Sequence, residues 1–443
     1  MLTSRIPNFA RWLRPLRLLT AVLLVSLIAA CGGGGGSSSN SSNSSTSGNG
    51  NGNGNGNGNG NGSSSAPASP NQQPIAATAA NTVPVAVNSG LTGQLPNIPN
   101  VSVTVCQAGT SNCETVSNVQ VDTASFGLRL LASALPASFL NALPTTATTG
   151  GGTLAECTAF ADGYSWGAVR TTDVKLGGET ASAIPIQVIG DPGTPTVPQA
   201  CTHFGPAQDT VQDLGANGIL GIGVAPNDCG SSCVSGTPGY YYSCASTGSC
   251  VLTTVQLAQQ VANPVAHFAT DNNGVILQMA PVSDSGAPSA SGTLVFGIGT
   301  QSNNALNASQ KFNTDPYGDL SATFNGSTLT SFLDSGSNAL FFADSSIPQC
   351  GGNLGTFYCP STTQSLTATL VPNGGGASGT ATFNVANANV LIGSGSNFAA
   401  NNLAGQFGSS ANLDLGLPFF YGRYVYYGQD MTASGGKAPF VAF

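Results

Sequence analysis

Two acidic motifs, one in each half of the chain and set among the same kinds of neighbours, limit what this sequence can fold into more than any other feature. In the first half an apolar approach runs into Val121-Asp122-Thr123-Ala124-Ser125 and on to Leu128 and Leu130. In the second, Phe332-Leu333 runs into Asp334-Ser335-Gly336-Ser337 and on to Leu340 and Phe341. Each is followed, later in its own half, by an apolar run that carries glycine: Gly218-Ile219-Leu220-Gly221-Ile222-Gly223 and Leu413-Asp414-Leu415-Gly416-Leu417. In a chain with 59 glycines, a single Asp-Ser-Gly-Ser would read as one more polar turn. Two copies with the same neighbours in the same order point to an internal repeat of long period. Such a chain has two matching halves, each presenting one aspartate.

The remaining sequence favours β structure in both halves. Charged residues are only 6% of the chain and prolines number 26, so salt-bridged helix faces are scarce and turns frequent. Short apolar runs bounded by Gly, Pro, Asn and Ser predict strands at Val101-Ser-Val-Thr-Val105, Val119-Gln-Val-Asp122, Ile184-Pro-Ile-Gln-Val-Ile189, Gly274-Val-Ile-Leu-Gln-Met279 and Thr293-Leu-Val-Phe296. The clearest helical pattern is Thr254-Val-Gln-Leu-Ala-Gln-Gln-Val-Ala262, with Thr254 able to cap it and Asn263-Pro264 closing it.

The N-terminus reads as a processing signal. Arg5, Arg11 and Arg14 precede an apolar run from Leu16 to Ala30, broken by Arg17, Thr20 and Ser26 and ending Leu27-Ile28-Ala29-Ala30-Cys31. The run is short for a membrane span and has the layout of an export signal. Small residues just before a cysteine resemble a lipobox, which implies that Cys31 becomes the lipid-modified first residue and anchors the chain to a membrane. Gly32 after it, in place of Asp, implies sorting to the outer membrane, with the folded part periplasmic or surface-facing. From Gly32 to about Ser65 the chain is Gly, Ser and Asn with a single Thr, so it has nothing to bury and serves as a tether. At ~5–6 Å × √n, such a tether reaches roughly 30–40 Å. The expected organisation is a signal over residues 1–31, a tether over 32–75, a first lobe over 76–285 and a second over 286–443.

Four of the ten basic residues lie in the signal, against 18 acidic residues outside it. The mature chain therefore carries about −12 at ordinary side-chain pKa values, which leaves no basic surface to follow a phosphate backbone and excludes nucleic acid as a partner. Of 11 cysteines, those beyond Cys31 form an even set, consistent with disulfides in an oxidising compartment. Local pairs are Cys106 with Cys113, Cys229 with Cys233 or Cys244, Cys244 or Cys233 with Cys250, and Cys350 with Cys359; Cys157 with Cys201 would be a longer link. With only His203 and His267 to help, Cys229 and Cys233 do not make a metal site.

The paired motifs resemble those of the pepsin-like aspartic peptidases, over nearly everything from about Thr82 to Phe443. Other landmarks follow in order. Gly167-Ala-Val-Arg-Thr-Thr-Asp-Val-Lys-Leu-Gly177 resembles the strand leaving the family's flap hairpin, and residues 256–264 the helix before the lobe crossover. Gly292-Thr-Leu-Val-Phe-Gly297 resembles the opening of the second lobe, and Leu415-Gly-Leu-Pro-Phe-Phe420 with Tyr424-Val-Tyr-Tyr427 the C-terminal strands. The resemblance implies an all-β, two-lobed, monomeric molecule in which Asp122 and Asp334 meet at the lobe interface and share a proton. The charged carboxylate activates a water while the protonated one polarises a peptide carbonyl, without metal or cofactor. Thr123 and Ser335 would cross-brace the loops, Gly336 would let backbone N–H groups approach, and Ser125 and Ser337 would bond the outer carboxylate oxygens. An extended peptide or protein would lie in the cleft beneath a flap of Phe160, Gly163, Tyr164 and Trp166. The low charge density is compatible with work at acidic pH.

Three positions depart from the family pattern. Ala124 replaces a glycine beside the reacting centre, Phe160 falls where the family has its flap tyrosine, and Arg129 falls where a tryptophan bonds that tyrosine. Tyr164 or Trp166, on the same hairpin, would then have to supply the missing polar group. These departures support an alternative, a catalytically inactive scaffold that binds peptide, glycan or protein at the cell surface. Gly163-Tyr164-Ser165-Trp166-Gly167 also fits a serine nucleophile elbow, but a β-rich segment follows it where a helix is required, and no histidine lies beyond His267. Tyr240, Tyr241 and Tyr242 are expected to pack within a disulfide-flanked loop.

Overall fold

The structure, a computed structural model, describes residues 69–406 and 409–443; the export signal, Cys31 and most of the tether lie outside them. Among the described residues the longest α-helix, Ala137–Ala142, has only six residues, and strands form the rest of the framework. In the first half, strand Gly163–Leu176 pairs with Glu179–Ile189 on one side and with Pro99–Cys106 on the other. That double pairing closes the sheet into a barrel, and the inward side chains of its strands, among them Val103, Val119, Leu128 and Ile186, are fully buried. Each contributes roughly 1.5–3 kcal/mol of hydrophobic stabilisation. The second half contributes a seven-stranded sheet whose strands fall between Leu320 and Gly416.

The halves share a floor. Strands Thr82–Val87, Ala290–Phe296, Gly274–Met279, Tyr424–Gly428 and Phe440–Ala442 lie side by side in the larger sheet. Early, middle and late segments among the described residues are thus hydrogen-bonded side by side. The expected boundary at 285/286 falls within the hairpin joining Gly274–Met279 to Ala290–Phe296.

The repeat takes the same backbone form twice. Strand Cys113–Asp122 runs parallel to Gly218–Ile222, with Asp122 opposite Gly221, and the chain then returns as Phe126–Leu131 antiparallel to the other side of that strand. In the second half Ser327–Asp334 runs parallel to Asn412–Gly416, with Asp334 opposite Gly416, and Leu340–Phe341 returns along the other side. Each aspartate therefore sits on a loop wrapped around the end of an apolar-Gly strand. The glycines are needed for this close approach. A Cβ on Gly416 would lie 2.0 Å from Ala339 O, and one on Gly221 would lie 2.6 Å from Phe126 N. The fold is all-β, as expected, with the same strand-and-loop arrangement present in each half.

Two expectations are corrected. Residues 254–262 form no α-helix; only a 3₁₀ turn at Leu257–Gln259 is present. Val255 N donates to Cys233 O, Val261 N to the Tyr241 hydroxyl and Ala262 N to Pro185 O, so tertiary acceptors take the donors a helix would have used. The folded body also begins earlier than composition indicated. Gln72 N donates to Gly422 O, the Gln72 side chain accepts from Tyr424 N, and Ile75 bonds Gln278 and Thr293. Residues 69–75, polar enough to read as tether, thus lie against the shared floor through their amide groups.

Candidate active site

Asp122 and Asp334 each end a strand, and the loops that carry them interlock. Thr123 Oγ1 accepts from Ser335 N at 2.9 Å and donates to Leu333 O at 3.3 Å, while Ser335 Oγ donates to Val121 O at 2.7 Å. The carboxylates are held alike. Asp122 Oδ1 accepts from Ala124 N at 2.9 Å and Oδ2 from the Ser125 hydroxyl. Asp334 Oδ1 accepts from Gly336 N at 2.8 Å and Oδ2 from Ser337 Oγ at 2.9 Å. A methyl placed on Gly336 would lie 2.8 Å from Asp122 Oδ1 and 3.1 Å from Asp334 Oδ1. Both carboxylates therefore border one point, each about a hydrogen bond's length from it. They are 5% and 2% exposed, so their interaction is little screened.

Three supporting residues were not singled out from the sequence. Buried Gln120, two positions before Asp122, donates to Gly336 O at 2.9 Å and so adds another tie between the loops. Tyr427 donates to Leu333 O at 2.9 Å. Asp414, wholly buried, lies 2.6 Å from Ser337 Oγ through Oδ2. Gln120 and Asp414 could have been noticed as polar residues inside otherwise apolar strand segments; Tyr427 looks like any aromatic strand residue.

The hairpin expected to serve as a flap is formed by strands Thr153–Phe160 and Gly163–Leu176, with Phe160 opposite Gly163. Its two faces differ. Phe160 packs with Leu95, Ile98, Leu131, Ile189, Leu214 and Ile219, and Ala161 at the turn packs against Phe332, Phe341 and Leu403 of the second half. Tyr164 and Trp166 lie on the opposite face, beside Cys157, Cys201 and Tyr242. The expectation that either would stand in for the missing phenol is therefore corrected: strand alternation turns them away from Phe160. Trp166 donates to Pro195 O, Tyr164 N donates to Pro206 O and Gln208 N to Tyr164 O. Segment 195–208 thus lies along the outer face of the hairpin, and the Cys157–Cys201 disulfide links the two covalently. The other disulfides are Cys106–Cys113, Cys229–Cys233, Cys244–Cys250 and Cys350–Cys359. Replacing Cys157 and Cys201 by serine together should lower stability by about 2–4 kcal/mol, measured as a fall in the urea midpoint at constant m.

Arg129 anchors the base of this hairpin. Its Nε donates to Thr158 Oγ1 at 2.8 Å, Nη1 to Phe126 O at 2.8 Å, and Nη2 to Glu156 Oε1 at 2.6 Å and Asp228 Oδ2 at 3.2 Å. Tyr241 donates to Asp228 Oδ1 at 2.7 Å. Burial pushes the Asp228 carboxyl well above the usual range, and neighbouring Glu156 pushes it further, against the pull of Arg129. Ser165, the serine of the alternative elbow, sits mid-strand and donates to Gln187 Oε1 at 2.8 Å. His203 and His267 are both at the surface. Tyr241 and Tyr242 are buried, the latter edge-on to Trp166 with ring centroids 5.3 Å apart.

Among solved structures the chain is similar to an aspartic proteinase from Irpex lacteus, at 18% identity and a TM-score of 0.44, over 82% of this chain and 97% of that one. No curated protein matches it. A family model does, over residues 77–443, and the chain belongs to that family, described as "Protein of unknown function (DUF3443)".

Proposed function

We propose that the protein is an aspartic endopeptidase that cleaves an extended peptide or protein with a water activated between Asp122 and Asp334, exported and held at the outer membrane through a lipid on Cys31. The observation that carries this reading is the interlocked pair of loops, in which both carboxylates border one point and each outer oxygen accepts a serine hydroxyl. In this reading the two buried carboxylates, both bordering the Cβ position of Gly336, divide one proton between them during the reaction. The charged member takes a proton from the water as it attacks, and the protonated member donates to the carbonyl oxygen. Gly336 leaves the space in which they meet. Gly336→Ala should therefore lower kcat/KM by about 100-fold through misplacement of the pair, read from peptide cleavage, with the melting temperature checked separately.

A second reading, a binding scaffold without chemistry, is favoured by one observation. The hairpin carries Phe160 where the resemblance implies a hydrogen-bonding tyrosine and packs on both halves, and both carboxylates are almost fully buried. The discriminating experiment is a peptide-library screen with the oxidised full-length protein between acid and neutral pH, beside Asp122→Asn and Asp334→Asn. Cleavage lost in both variants supports the peptidase. Absence of cleavage at every pH, with ligand binding indifferent to both changes, supports the scaffold.

A further inference from the structure

The two halves differ at one buried position that the repeat itself exposes. Counting back two residues from the glycine opposite each aspartate gives Ile219 in the first half and Asp414 in the second. Ile219 packs among apolar side chains. Asp414, wholly buried, points a carboxyl oxygen at the serine that serves Asp334. In the first half Ser125 donates to Asp122; in the second, Ser337 Oγ lies 2.9 Å from Asp334 Oδ2 and 2.6 Å from Asp414 Oδ2.

A hydroxyl has one hydrogen to give and lone pairs to accept with. It cannot donate to both acids at once, so for both contacts to be hydrogen bonds one of the two acids must carry a proton and donate to the serine. Asp334 lies beside Asp122, and the pair already shares one proton in the proposed reaction, on which this inference rests. Asp334 and Asp414 flank one hydroxyl in the interior, so two full charges there would repel each other across it. Asp122 lies across the loops from Asp334, and Tyr427 donates to the carbonyl of Leu333, next to Asp334 in the chain. Phe332 and Phe341 lie opposite Asp414 on the two neighbouring strands.

We infer that Asp414 is a neutral acid and a positioning residue: its Oδ2–H donates to Ser337 Oγ, and the serine hydrogen is thereby committed to Asp334 Oδ2. Donors in series polarise one another, so the chain favours the carboxylate form of Asp334 and leaves the shared proton on Asp122. The matching sequence halves thus hold two aspartates of unequal character, with Asp334 the base toward water and Asp122 the acid toward the carbonyl.

Infrared spectroscopy tests this without any need for catalysis. The full-length protein at neutral pH should show the carbonyl stretch of a protonated, buried carboxyl that disappears in Asp414→Asn and persists in Asp228→Asn. A band unchanged by Asp414→Asn overturns the inference, whether or not any peptide is ever cleaved. If cleavage is found, Asp414→Asn, whose amide still donates to Ser337, should keep the pH profile. Asp414→Leu, which lacks the donor, should move the acid limb upward by about one pH unit and lower kcat about tenfold. A profile displaced equally by Asn and Leu would also overturn it. Loss of all cleavage with the infrared result intact would sink the peptidase reading alone.

Discussion

Asparagine at either 122 or 334 is expected to lower peptide cleavage by at least about 10³-fold while leaving the protein folded. In the proposed reaction each change removes one of the two groups between which a proton moves, and general acid–base partners are worth about 10²–10⁴ apiece. The geometry predicts little structural cost. An asparagine oxygen can still accept from Ala124 N or Gly336 N, and Ser125 or Ser337 can turn to accept from the new amide. The Thr123 and Ser335 bonds that lock the loops run through backbone atoms and survive either change. Thermal midpoints of both variants should stay within a few degrees of the parent, so lost cleavage would report chemistry. A variant that unfolds would show instead that the carboxylates hold the loops together.

Arg129→Met should destabilise the molecule by about 3–5 kcal/mol, because it strands Glu156 and Asp228 in the interior without their cation. It also removes the ties to Thr158 and Phe126 O that fix the hairpin to the strand leaving the first aspartate loop. Adding Asp228→Asn to this variant should recover part of the loss, since the two sites share one network. Asp228→Asn alone has a signed pH signature. The carboxyl is raised in the folded state above its ordinary value of 3.8, so the folded protein binds the proton more tightly than the unfolded chain. Stability then falls as pH rises from the ordinary carboxylate range toward the raised value. The variant should lack that slope and gain on the parent with rising pH. Urea midpoints across acid to neutral pH measure it; parallel curves would show that Asp228 does not hold the proton.

The clamp built on Arg129 ties the hairpin to the strand leaving the first aspartate loop. The hairpin's tip packs on the second half and its outer face is covered by the segment linked through Cys157 and Cys201.

The twofold plan and the pair of aspartates were legible along the chain before any tertiary contact was known. A carboxylate held by backbone N–H groups at a strand end needs a short loop of Thr, Ser and Gly, and a strand that slips past that loop needs glycine. Both requirements are local, so both left marks that could be counted twice along the chain. Strand positions were legible for the same reason, since apolar runs between turn residues have few ways to be buried. The tertiary structure alone decided which donors the residues near Val261 would use, and so replaced the expected helix with extended chain bonded to Tyr241 and Pro185. It alone decided that Tyr164 and Trp166 face away from Phe160, that Arg129 sits between two acids distant in sequence, and that Asp414 meets Ser337. Those outcomes depend on which distant groups arrive at one buried point, where a hydrogen bond or a charge gains or loses several kcal/mol by its surroundings, and no spacing along a single strand records that meeting.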